Sequence, residues 1–171
     1  AAAAGYFVVE VHTFEPDRLV VLAHAAERDR VGLPARRRAL VGDDAARALQ
    51  SLVPVDVLRL AVGQQRYAFF TEASGGILDD LMITRRENDL LLVVNAGCKA
   101  QDIQHLITHI GHRCQVTPLP ERALLALQGP KAAEALAHLN PGVTKLLFMT
   151  GGSFKLAGAD CYVTRSGYTG E

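Results

Sequence analysis

The sequence predicts an α+β fold, and three observations carry that prediction. Between residues 39 and 120, short apolar runs separated by turn clusters alternate with two helical periods, in the order β-α-β-β-β-α-β. Both helical stretches are apolar on one face, which suits helices laid on one side of an antiparallel sheet. From Glu121 the pattern restarts with a new strand and helix. The first order is that of a ferredoxin-like antiparallel sheet with helices on one face and an extra strand; the rest supplies parts of a second α/β domain.

Taken in order, Gly5–Phe14 reads as a strand through Phe7, Val8, Val9 and Val11. Pro16-Asp17 opens a predicted helix reaching Ala26. Residues 27–38 are charged, carry Gly32 and Pro34, and read as a loop. Ala39–Val41 is a short predicted strand, and Gly42-Asp43-Asp44 supplies a turn and an N-cap for a helix over Ala45–Leu52, with Ala45, Ala48, Leu49 and Leu52 at helical spacing. Arg66–Thr71, Ile77–Arg86 and Leu90–Asn95 form a predicted meander whose turns are Ala73-Ser74-Gly75-Gly76 and Glu87-Asn88-Asp89. Lys99–His109 is a predicted helix with Ile103, Leu106, Ile107 and Ile110 on one face, stopped by Gly111, and Arg113–Leu119 a strand. Beyond it come a strand over Ala123–Leu127, a helix from Pro130 to His138, apolar segments Leu146–Met149 and Phe154–Leu156 flanking Thr150-Gly151-Gly152, and a strand over Asp160–Thr164. The four opening alanines and the abrupt Gly167-Tyr168-Thr169-Gly170-Glu171 ending predict a piece of a longer protein.

Composition narrows the function. Eighteen Lys and Arg balance 18 Asp and Glu in 171 residues, so the chain lacks the basic surplus that phosphate backbones require, and no nucleic-acid partner is expected. No apolar run approaches the roughly 20 residues of a membrane helix, and Tyr6–Val9 lacks the basic flank of a signal peptide. Cys98, Cys114 and Cys161 are odd in number and widely spaced, which predicts reduced, mostly buried thiols rather than a redox or zinc motif. Phosphate-loop and nucleophile-elbow patterns are absent, and Gly75-Gly76 and Gly151-Gly152 read as turn pairs.

Three places remain for chemistry. Asp79-Asp80 interrupts the apolar strand Ile77–Ile83, where carboxylates are disfavoured. Neighbouring strand residues leave opposite faces, so the two are not expected to act as a close dyad; one faces solvent and the other the sheet's packed side or a pocket, the simpler role being a satisfied structural Asp near the turn. Asn95 ends the next antiparallel strand and is expected near the pair, where its amide offers both a donor and an acceptor; capping the strand end is the simpler role. Arg165-Ser166-Gly167-Tyr168-Thr169-Gly170-Glu171 brackets Tyr168 and Thr169 with glycines, a backbone path that can wrap a ligand or merely turn. His105, His109 and His112 share helical spacing but lack the acidic residue of a zinc-hydrolase motif, so they read as exposed helix histidines.

Four motifs in order, Gly75-Gly76-Ile77-Leu78-Asp79-Asp80-Leu81, Val93-Val94-Asn95-Ala96-Gly97-Cys98, Ala123-Leu124-Leu125-Ala126-Leu127-Gln128-Gly129-Pro130 and Arg165–Glu171, resemble aminomethyltransferase, the T-protein family of the glycine cleavage system. Leu40-Val41-Gly42-Asp43-Asp44-Ala45 and Ser51-Leu52-Val53-Pro54 extend the resemblance, which covers residues 39–171 and is poor over 1–38. It implies transfer of an aminomethyl group's carbon from the lipoyl arm of H-protein to tetrahydrofolate, releasing ammonia. It also implies that Asp80 is the key carboxylate beside the folate, that Val93 and Asn95 line the folate pocket, and that Glu171 holds the pterin with Tyr168 nearby. The implied division is an N-terminal segment 1–38 of a folate-binding domain, a ferredoxin-like insert over 39–120, and the domain's continuation over 121–171, the family's C-terminal barrel being absent. The implied location is a bacterial cytoplasm, or the mitochondrial matrix if the source is eukaryotic. Competing expectations are a folate module of a sarcosine- or dimethylglycine-oxidising relative, and a fragment without catalysis.

Overall fold

Strands buried on both faces build the centre of the fold. In the computed structural model, which describes residues 6–12, 19–23, 44–119, 122 and 124–167, strand β3 (Gln65–Thr71) pairs antiparallel with β4 (Ile77–Arg85), and β4 with β5 (Leu90–Val94). The first turn closes through Glu72 and Gly75, whose φ of +88° is the left-handed conformation glycine adopts without strain. Two further strands, β1 (Tyr6–His12) and β2 (Leu19–Ala23), precede helix α1 (Asp44–Gln50); α2 (Lys99–Ile110) and β6 (Val116–Pro118) follow β5. The chain then adds β7 (Leu124–Leu127), α3 (Ala132–Ala137), a 3-10 turn at Pro141–Lys145, β8 (Thr150–Leu156) and β9 (Ala159–Ser166).

These strands form two sheets, ordered β3-β4-β5-β2-β6 and β7-β1-β9-β8. The α+β class read from the sequence is the one that forms. Helices α1 and α2 cover one face of the five-stranded sheet, where Ala48, Leu49, Leu106 and Ile110 pack on Ala68, Phe70, Leu81, Ile83, Leu92 and Val94. Full burial of each large side chain there contributes roughly 1.5–3 kcal/mol. The opposite face presents Met82, Leu91 and Val93 to Tyr162 of β9 and to Leu119, so the second sheet closes the other side.

Three local expectations change, and a fourth lies outside the described residues. The predicted helix over residues 16–26 is strand β2 where it is described, lying between β5 and β6 and parallel to both. Its run Leu19-Val20-Val21-Leu22-Ala23 has no polar alternation because it is a central strand, and a short apolar run cannot by itself be told from a helix. The predicted strand Ala39–Val41 lies outside the described residues. Gly151-Gly152 is no turn: both glycines belong to β8. On α2 the buried stripe is Asp102, Leu106 and Ile110, while Ile107 is 46% exposed.

Gly151 is small for a reason. A Cβ there would lie 2.7 Å from Cε1 of Tyr162 and 2.8 Å from Cγ2 of Thr164. The Tyr162 ring so admitted is buried between the sheets, and the Arg86 guanidinium lies 5.5 Å from its centroid. Gly151→Ala is therefore expected to displace that ring and lower stability by about 1–3 kcal/mol, read as an earlier urea midpoint with an unchanged m-value.

Polar contacts also join the sheets. Across the sheets the Ser166 hydroxyl meets Gln65 Oε1, and within the five-stranded sheet Gln65 is held by donating through Nε2 to Thr84 Oγ1 at 3.0 Å. The backbone N–H of Gln65 donates to the Met149 carbonyl at 2.8 Å. Both side-chain contacts are buried, so each satisfies a group that would otherwise be costly. They fix the end of β9 beside the start of β3.

Candidate functional site

The β4–β5 ladder stops at Leu81 and Val94, and the chain then turns through Asn95 toward α2. Asp79 and Asp80 therefore pair with β3 but have no β5 backbone opposite them. The Asn95 side chain takes that place. Its Nδ2 donates to Asp79 Oδ1 at 2.9 Å and to Asp80 Oδ1 at 2.6 Å, with a longer approach of 3.4 Å to the Asp80 carbonyl. Thus the expected proximity of Asn95 to the aspartates is present. The two carboxylates leave opposite faces of the strand, as alternation predicts, and one amide nitrogen just past the sheet's end reaches both.

Asp80 leaves the face shared with Met82, and its Oδ2 accepts from the Tyr67 hydroxyl at 2.7 Å. Tyr67 and Phe69 follow the two-residue period of β3, and their rings meet edge-to-face at 5.0 Å. The Asp80 carboxylate, by accepting that hydrogen bond, pushes the Tyr67 phenol up to about 12, so it remains a protonated donor through the physiological range. Val93, across the ladder from Met82, is only 9% exposed and packs in the cluster between the sheets.

Asp79 leaves the other face, toward α2. There it meets Asp102, which is 2% exposed, and the Cys98 thiol at the helix start. Burial, then a hydrogen bond with Asp79, then the charges of Asp79 and Asp80 push the Asp102 carboxyl up to about 7. The Asp79 charge, followed by burial, also raises Cys98, so this thiol is held protonated. Cys114 and Cys161 are buried, and none of the three cysteines is in a disulfide.

Tyr67 and Asp102 are functional candidates that the sequence reading missed. Tyr67 is signalled only by β3 register. Asp102 had a visible signal, since it lies four residues before Leu106 and eight before Ile110 on the buried stripe of α2. Tyr168 and Glu171 lie outside the described residues; Ser166, just before them, is the residue anchored on Gln65. His105 is half-buried against Phe70 rather than exposed, with burial lowering its pKa, while His109 and His112 are exposed. Among the described residues no three His, Cys, Asp or Glu side chains are grouped to hold a metal ion, and no helix is long and apolar enough to cross a membrane.

The arrangement is a corner rich in acceptors, with the Asp80 carboxylate fixed by two neutral donors. Such a corner suits a ligand that presents N–H groups or develops positive charge.

Residues 20–171 match the family described as the GCVT N-terminal domain, so the match begins ahead of the Ala39 start read from the motifs. The chain is 38% identical over 140 residues to the mitochondrial aminomethyltransferase of Dictyostelium discoideum, covering 76% of this chain and 35% of that protein. It is 41% identical over 140 residues to the Pisum sativum mitochondrial aminomethyltransferase, with 77% and 34% covered. Against the Homo sapiens mitochondrial aminomethyltransferase it is 39% identical over 140 residues, with 77% and 35% covered. The chain thus spans about a third of the length of these relatives. The crystal structure of glycine cleavage system aminomethyltransferase T from Bartonella henselae is similar at a TM-score of 0.54 and 25% identity, covering 92% of this chain and 38% of that one.

Proposed function

Because the chain belongs to the GCVT N-terminal domain family, we propose that it forms the folate-facing part of an aminomethyltransferase of glycine cleavage. Tetrahydrofolate is the cosubstrate, and the aminomethyl group arrives on the lipoyl arm of H-protein. The observation that carries this reading is the Asp80 carboxylate, held at the open end of the sheet by the Tyr67 hydroxyl and the Asn95 amide. The donor set fits the cosubstrate: the corner offers carboxylate oxygens, and tetrahydrofolate carries several N–H donors. When bound, tetrahydrofolate supplies the amine that takes the carbon, leaving ammonia and dihydrolipoyl H-protein.

Asp80 then orients that amine and stabilises positive charge as it develops at the transferred carbon. Tyr67 and Asn95 hold Asp80 in one orientation, so little reorganisation is needed. Asn95 and Val93 border the folate; Tyr168 and Glu171 hold the pterin. In this reading residues 39–120 are an insert in a folate-binding domain that begins in 1–38 and resumes over 121–171. Support comes from the second sheet, where β1 pairs with β7 and β9, while β2 (Leu19–Ala23), between β5 and β6, extends the insert's sheet ahead of residue 39. The proposed setting is a bacterial cytoplasm, or the mitochondrial matrix for a eukaryotic source.

Titration of the chain with tetrahydrofolate, followed by heat and by thermal shift, tests the proposal. Saturable binding is expected, weakened about tenfold or more by Asn95→Leu, which removes a donor shared by two carboxylates. A titration with neither heat nor shift removes the folate assignment.

A further inference from the structure

We infer that Asp102 is a positioning residue of this site: as proton donor to Asp79 it fixes that carboxylate, and through the Asn95 amide it fixes Asp80. The inference rests on the folate reading above and adds a residue to it.

Asp79 Oδ2 and Asp102 Oδ2 are both buried and accept from no other donor, while Asp79 Oδ1 accepts from Asn95. Two ionised carboxylates facing each other satisfy neither oxygen and repel. One proton shared between them satisfies both, because a protonated carboxyl is a donor. Asp102 is the member that keeps it: it is 2% exposed, on the inner stripe of α2, and burial is the main influence favouring its neutral form. Cys98 also faces Asp79, but a thiol is a weak donor and does not replace a carboxyl.

A continuous chain follows. Asp102 donates to Asp79; the Asn95 amide donates to Asp79 and Asp80; the Tyr67 hydroxyl donates to Asp80. It crosses the sheet from the helix-covered face to the candidate folate face, around the strand end where the ladder is open. Asp102 touches no reacting atom in this scheme. Its contribution is to keep Asp79 from competing with Asp80 for Asn95. The titratable groups acting on Asp102 are Asp79 and Asp80 from β4, and Cys98 on its own helix shares the same Asp79. Below about pH 7 Asp102 keeps its proton and the chain is intact; above it a third negative charge enters the corner.

The test compares tetrahydrofolate affinity between pH 6 and 8 for the wild-type chain, Asp102→Asn, Asp102→Ala and Asp80→Asn, with circular dichroism as the folding check. Wild-type affinity is expected to fall about tenfold across that range, a span that one lost charge-assisted hydrogen bond explains. Asp102→Asn restores a permanently neutral donor and is expected to flatten that profile at the affinity of the low-pH wild type. Asp102→Ala is expected to bind weakly at every pH. If Asp102→Ala fails to fold, the Asp102→Asn profile decides alone. A wild-type profile in Asp102→Asn, beside weak binding by Asp80→Asn, overturns this inference and leaves the folate reading standing. Wild-type affinity in Asp80→Asn sinks the folate reading, and this inference with it.

Discussion

Asp80→Asn is expected to lower turnover with lipoyl H-protein and tetrahydrofolate by about 10²–10³-fold in the complete enzyme, with the fold retained. The fold survives because the amide still satisfies its neighbours. Its oxygen faces the Asn95 Nδ2 that now donates to Asp80 Oδ1, and its NH₂ faces Tyr67, whose hydroxyl rotates to accept. Only the negative charge is lost, and with it the stabilisation of positive charge at the transferred carbon. A second readout is independent of folate. The Tyr67 phenol is held up to about 12 chiefly by its hydrogen bond to the Asp80 carboxylate, so its ionisation should move back toward 10 in the variant, seen by ultraviolet titration. Full turnover together with the displaced tyrosine titration would show that the substitution reached the site and that the carboxylate is not needed. That result would sink the assignment.

What could be read in the sequence was whatever local period determines. Apolar runs bounded by turn clusters placed β3, β4 and β5 within about a residue of their observed bounds, and the antiparallel order put Asn95 near the aspartates. Alternation also puts Asp79 and Asp80 on opposite faces, where they lie, but it contains no term for a side chain past the strand end that reaches both. Tyr67 needed the β3–β4 register, which depends on the Phe70/Thr71 irregularity as well as on the turn. Strand β2 was missed because its short apolar run follows Pro16-Asp17, which reads as a helix start, and such a run cannot by itself be told from a helix. Its neighbours β5 and β6 come from far along the chain, and no local window contains them. Asp102 was missed for a different reason. A carboxylate on the first turn of a helix is usually a favourable surface charge at the positive end of the dipole, and that habit conceals one that continues the buried stripe.

Asp102→Asn is also expected to change how stability depends on pH, by about 2 kcal/mol above pH 7. The sign follows from proton binding. In the unfolded chain the Asp102 carboxyl loses its proton near the ordinary value of 3.8, whereas in the folded chain it keeps it up to about 7. Between those values the native state binds more protons than the unfolded state, so this group lowers stability as pH rises through that window and adds nothing further beyond it. A shift of this size sets an upper limit of about 4 kcal/mol; proton sharing with Asp79 and relaxation of neighbouring dipoles reduce it to about 2 kcal/mol. Asparagine cannot ionise. The variant should therefore match wild type in urea unfolding at pH 4 and exceed it at pH 8. A variant no more stable than wild type at pH 8, or stabilised equally at both, refutes a carboxyl held neutral by burial. The expected result has a functional corollary. A position where one uncharged substitution raises stability at working pH, yet which carries an acid, is one the fold maintains at its own expense, as sites that orient charge characteristically do.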